Sequence, residues 1–206
     1  MEPKWAEDNL LTIRTLMERS AVYRLALAPI MLYAGTLGVI TAGTGIFFRL
    51  DAMRAFCALW LGAAALAIGG AYLIARRQAI QDKEPFWSPP TRRVSQAMAP
   101  ALAAGAVVSV LFIVGVNDES FTEWLAFFWI LFYGCALHSA GFFMPRGIKL
   151  FAWVIIAGIT GFFGVLVLSH TSVIVNAHWL MGFIFGVLHL AYGVYLYLTE
   201  KGKPAA

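Results

Sequence analysis

Three histidines stand in otherwise apolar sequence: His138 in ALHSAG, His189 in GVLHLAYG, and His178 eleven residues before the latter. An imidazole within a membrane span is costly and marks a site by default. The chemistry to weigh first is bis-histidine haem ligation, which needs two of them at similar depth on facing helices. At about 1.5 Å rise per residue, His138 falls roughly 10 Å inward of the midplane and His189 about 3 Å. Only tilt would absorb that mismatch. His178 and His189 share a predicted helix face but lie about 16 Å apart, too far to hold one metal. Hydrogen bonds across helices to Ser, Thr, Tyr or backbone are the simpler expectation. No cofactor and no metal are therefore expected, with His138 and His189 as the haem-ligand candidates.

A second constellation lies between Arg76 and Ser95, RRQAIQDKEPFWSPPTRRVS. Prolines disfavour helix in the residues before them, so this stretch is expected to be an extended, stiff loop. Arg76, Arg77, Arg92 and Arg93 bracket Phe86 and Trp87. That pattern is suited to docking a cytoplasmic protein partner or anionic lipid headgroups, each base contributing about 1 kcal/mol near an anionic leaflet. The plainer role is to set topology, with Trp87 as an interface anchor. Asp118, Glu119 and Glu123 read as a solvated acidic turn without cation-loop spacing.

The elements that must position these residues are set by composition. Of 206 residues, 61% are hydrophobic and only 13% charged, against roughly 25% charged in globular domains. Apolar runs near the ~20-residue spanning length recur, so an all-α integral membrane protein is expected. Six transmembrane helices are read at about 21–48, 55–75, 96–116, 124–143, 150–168 and 177–198. Residues 1–20 precede them, with a short amphipathic helix from Asp8 to Ser20 at the membrane surface. Residues 76–95 form the basic loop and 200–206 a tail. The acidic residues Glu2, Glu7, Asp8 and Glu18 do not resemble a signal-peptide n-region. Cys57 and Cys135 fall about 15 Å apart in depth, beyond disulfide reach.

Orientation is given by the bases. Thirteen of the fifteen Lys and Arg fall on one side of a six-span arrangement, and only Arg49 and Arg54 on the other. The positive-inside rule then places both termini in the cytoplasm, in the inner (plasma) membrane if the source is bacterial. The same reasoning explains the net charge of +4 without nucleic-acid binding.

Three spans per half would make any internal repeat inverted. A faint one is visible. LYAGTLGVITAGTGIFFR (Leu32 to Arg49) and LFYGCALHSAGFFMPR (Leu131 to Arg146) share an aromatic-glycine start, an Ala-Gly step and Phe-Phe before Arg. Such a repeat would put a passage between the halves, lined by Gly35, Gly38, Thr41, Tyr133, His138, Ser139, Gly141 and His189. No Asp, Glu, Lys or Arg lies deep in a span, which argues against ion-coupled transport. No nucleophile–base or paired-acid motif points to an enzyme. The leading expectation is a non-enzymatic membrane protein that binds or senses a ligand or partner and signals or scaffolds through its cytoplasmic loop. A carrier or channel-like passage for a small neutral or apolar solute is the alternative, and haem b binding a lesser one. Small-residue seams leave a homo-oligomer open.

Overall fold

The computed structural model describes residues 26–81, 83, 86–115, 121–144, 146–169 and 175–201, and all regular structure among them is helical. Helix α1 covers Ala26–Phe47. It is followed by α2 (Met53–Gln81), α3 (Pro89–Gly115), α4 (Thr122–Ala140) and α5 (Arg146–Leu168). The last rod is composite: α6 (Ala177–Met181), a π-helical stretch (Gly182–Leu188) and α7 (His189–Lys201). The expected amphipathic helix, most of the acidic turn and most of the tail lie outside the described residues.

Five of the six rods are long and apolar enough to cross a membrane. Their outer faces carry Leu66, Ile68 and Leu73 on α2, Val107, Val110 and Val114 on α3, and Val154 and Val165 on α5, all exposed. In water such faces would be an aggregation hazard. In lipid they are the required surface, because a helix keeps its backbone hydrogen bonds to itself. Helix α4 is shorter, at 19 residues, with Glu123 in its first turn and His138 in its last. It packs between α3 and α5, burying Leu125, Ala126, Ile130, Gly134, Ala136, Leu137 and Ala140. A helix so enclosed needs less lipid-compatible surface, which leaves room for Trp129 and Tyr133 on its sides.

The rods alternate in direction. At one end, Thr122 donates to the Asp51 carbonyl (3.3 Å) and Asn176 to the Asp51 carboxylate (2.9 Å). Those bonds gather the α1–α2 link, the start of α4 and the approach to α6. At the other end, Tyr72 near the close of α2 meets Phe86 (4.7 Å), and Gly147 of α5 lies against Tyr192 of α7. The core between them includes Phe56, Trp60, Leu125, Ile130, Phe151, Ile155 and Ile184.

Helix α1 meets the last rod backbone to backbone. A Cβ on Gly38 would strike the Phe185 carbonyl and lie 2.8 Å from the Gly186 nitrogen, and one on Gly186 would come within 3.0 Å of the Val39 nitrogen. Gly35, Ala42 and Gly182 continue the seam. In lipid, where neither helix gains by leaving an apolar solvent, such close van der Waals packing is what holds helices together.

Two departures from the sequence reading have clear causes. The polar stretch is mostly helix, since α2 runs on to Gln81 and α3 begins at Pro89. Arg, Gln and Ala are strong helix formers, and proline is tolerated in a first turn, where its missing N–H would be unpaired anyway. The Ser88 carbonyl accepts from the Arg92 N–H (3.1 Å), and the Ser88 and Thr91 hydroxyls pair at 3.0 Å. Arg76, Arg77, Arg92 and Arg93 therefore stand on helices, not on a loop. The second departure is the π stretch. A π turn holds one residue more than an α turn, so the helix beyond it is rotated back by about 100°. His178 and His189 thus face different neighbours instead of sharing one face.

The seam yields a paired expectation. Gly38→Leu should lose about 1–3 kcal/mol or more through overpacking, read by denaturant unfolding in detergent. Gly43→Leu, on the same helix but facing open space, should be near neutral. Equal losses would mean that the seam does not carry the stability assigned to it.

Candidate functional site

The two buried histidines both sit on the last rod. His178, fully buried, begins α6 behind Asn176, whose side chain caps the helix by accepting from the His178 N–H (2.9 Å). Around its ring, the Trp60 indole N–H donates to Nδ1 (3.1 Å), and Nε2 lies 3.1 Å from the Leu50 carbonyl. An indole can only donate and a carbonyl can only accept. The neutral tautomer with its proton on Nε2 satisfies both. The Asp51 carboxylate is 3.9 Å from Nε2 and half exposed. Phe56 (5.0 Å between centroids) lies tilted against the ring, Trp60 meets it edge to edge through that hydrogen bond, and Gly45 provides the floor, where a Cβ would collide with the imidazole.

The Leu50 carbonyl is aimed by an unusual turn. Arg49 ends α1 in the left-handed region, φ 50°, with Leu50 N–H bonded to the Gly45 carbonyl (2.9 Å) and Arg49 N–H to Ile46 (3.3 Å). This is a Schellman-type helix end, in which glycine is the usual left-handed residue. Arginine there costs on the order of 1 kcal/mol. The turn delivers an acceptor to a buried donor that would otherwise go unpaired.

His189, also buried, comes directly after the π stretch. Its Nδ1 lies 2.8 Å from the Ile184 carbonyl, five residues back, and its Nε2 lies 2.7 Å from the Tyr133 hydroxyl. The carbonyl requires Nδ1 to carry the proton, so Tyr133 donates to Nε2. Phe151 (5.1 Å, edge-on) and Phe185 (5.9 Å, stacked) enclose the ring. Tyr133 also touches Phe185 (4.9 Å). Iron at Nε2 would have to displace Tyr133.

The remaining passage candidates divide into two groups. Gly35 and Gly38 are closed by the backbone of Leu190, Phe185 and Gly186. Thr41, buried beside them, returns its hydroxyl to the Leu37 carbonyl (2.7 Å). At the far end of α4, His138 makes edge contacts with Phe142 (5.5 Å) and Trp153 (5.3 Å). Ser139 is half-buried there, and Gly141 lies under Lys149, whose ammonium sits 3.4 Å over the Phe142 ring. The structure therefore joins Tyr133 to His189 through a direct bond and leaves the other polar candidates at separate places.

The docking residues share one end. Arg76, Arg77, Arg92 and Arg93 are exposed, and none has an acidic partner among the described residues. Between the two pairs, Phe86 folds back on Tyr72, and its carbonyl accepts from Thr91 (3.0 Å). Trp87 stands exposed beside it. Cys57 and Cys135 are both free.

No family model matches the chain, and comparisons with characterised proteins and with solved structures find no match. Asp51, Asn176, Trp60 and the Leu50 carbonyl have no weight in the sequence reading. Asn176 ahead of an apolar run is a visible capping signal. The 118-residue separation of Trp60 and His178 leaves no local trace.

Both histidines can be tested by substitution. His178→Ala should destabilise the bundle by roughly 2–4 kcal/mol, since it opens a cavity and strands the Trp60 N–H, while Asp51→Asn should cost under about 1 kcal/mol. For Tyr133 and His189, a double-mutant cycle with Tyr133→Phe and His189→Leu should return a coupling of about 0.6–1.7 kcal/mol, the range of hydrogen bonds between membrane helices. Zero coupling would mean that the pair is not bonded in the membrane.

Proposed function

We propose that this is a six-span membrane protein with both termini in the cytoplasm, and that it works without catalysis, as a binding or scaffolding protein. Its working surface is the α2–α3 hairpin. The observation that carries this reading is the set of four exposed arginines, free of described ion pairs and held around a fixed aromatic clip. Charges without an ion pair among the described residues remain available to an external anion. The internal polar groups support the same reading from the other side. His178 and His189 have every ring nitrogen engaged, so neither offers a vacant functional atom. Helix α4 is counted as the sixth span, because its 19 residues come within a residue or two of the ~20 needed and its alternation in direction requires a crossing.

A passage between two inverted halves is the weaker reading. The closure of Gly35 and Gly38 by backbone weighs against those residues as walls.

Native mass spectrometry of the full chain, gently extracted from its own membrane, is the test. The native protein should carry an additional mass, protein or lipid, and Arg92→Gln/Arg93→Gln should lose it while remaining folded. A bare chain or bare homodimer in both cases would sink the proposal. Because these bases also bear on topology, orientation is read in the same variant by impermeant labelling of Trp87→Cys.

A further inference from the structure

From the depth of the hairpin we infer that its four arginines bind the phosphates of anionic phospholipids in the adjoining leaflet. The inference rests on the hairpin being the working surface and names what that surface holds. On α2, no charged residue lies between Arg54 and Arg76. On α3, none lies from Val94 to Gly115. At about 1.5 Å per residue these uncharged segments measure roughly 32 and 33 Å, against a hydrocarbon core of about 30 Å. Arg76 and Arg93 therefore stand at one level, the headgroup plane, on neighbouring helices that the Tyr72–Phe86 contact ties together.

The two helices also end close to the lipid. Helix α2 continues four residues beyond Arg77 and α3 starts four before Arg93, each about 6 Å. The headgroup region on each side is itself roughly 5–8 Å deep. A cytosolic protein would meet first the link between the helices, whereas the guanidinium groups lie back from it, at the level of the phosphates. Guanidinium is the cation suited to this, because its planar fork bonds two phosphate oxygens at once. The neighbouring rings suit the same layer. Tyr72, partly exposed one turn below Arg76, and Trp87, exposed at the tip, are amphipathic side chains of the kind that populate membrane interfaces.

The opposite end lacks this arrangement. Arg49 is the strained helix-ending residue, and Arg49 and Arg54 have Asp51 between them. The site is therefore one-sided and pairs basic helix ends with the leaflet that is richer in anionic lipid.

The test uses full-length protein in neutral detergent, titrated with phosphatidylglycerol or phosphatidylcholine, with bound lipid counted by native mass spectrometry. Native protein should retain phosphatidylglycerol at least tenfold more readily than phosphatidylcholine. Arg92→Gln/Arg93→Gln should weaken that retention roughly thirtyfold, on the basis of two bases lost near an anionic layer. Arg92→Lys/Arg93→Lys should recover part of it, and Arg49→Gln/Arg54→Gln should leave it unchanged. Indifference to headgroup, or equal retention by the Gln variant with its fold intact by thermal unfolding, overturns the inference. Displacement by millimolar inorganic phosphate would assign the site to free phosphate and overturn the lipid source. If extraction from the native membrane instead yields an arginine-dependent protein mass, the hairpin remains the working surface and the lipid assignment falls.

Discussion

The arrangement depends on one close approach, the meeting of α1 with the last rod at Gly38 and Gly186. Two membrane helices gain nothing from leaving lipid, so their association must come from contact and from bonds that lipid cannot make. Glycine supplies the contact by removing the Cβ that would strike the Phe185 carbonyl. The bonds come at either end of the seam. His178, seated on Gly45, fastens the last rod to the α1–α2 corner. His189, beyond the π stretch, fastens it to α4 through Tyr133.

The π stretch makes these two attachments compatible. In an unbroken α-helix, residues eleven apart differ by only about 20° in azimuth, so both imidazoles would face the same neighbours. The extra residue turns His189 toward α4 and α5 while His178 stays against α1 and α2. Such turns are rare and often found at functional places; here the effect is to let one rod bind two sides of the bundle. The freed Ile184 carbonyl is used as well, since it accepts from His189 itself.

Much of the scaffold is legible from the sequence, because apolar run length is dictated by bilayer thickness and needs no tertiary knowledge. The same arithmetic fails at the hairpin. Arg and Gln after Ala75 read as the end of α2, yet polarity ends only the membrane-embedded part of a helix, not the helix. Prolines at 89 and 90 read as breakers where they occupy a first turn. Tyr133 and His189 are each nominated by sequence, though their pairing is not, since it depends on the rotation introduced by Gly182–Leu188. The π stretch packs against α1 through Gly182 and Gly186, and an apolar sequence pattern does not encode where an extra residue enters a turn. The Asp51–Asn176–His178 cluster escapes a sequence reading for a related reason: Asp51 lies 125 residues before Asn176, and the two ends meet only because the rods alternate.

The distribution of satisfied and unsatisfied polar groups gives the structure its direction. A buried imidazole left without a partner in lipid would cost more than its neighbours could offset, and the two buried ones are fully bonded in single tautomers. Their demands are met so completely that they behave as fasteners. Among the described residues the Tyr192 hydroxyl is buried without a partner, and the strong donors left exposed include the guanidinium groups at the helix ends. There, on the proposed lipid reading, a group at the headgroup plane loses little hydration while gaining access to phosphate. Helix length governs the level at which these arginines stand. Lengthening α2 by a single turn, about 5.4 Å, would raise Arg76 and Arg77 above the level of α3's pair and, on the proposed lipid reading, out of the phosphate layer. If the hairpin binds lipid as proposed, that affinity is a property of the match between two uncharged helix segments and the bilayer, more than of the four arginines taken singly.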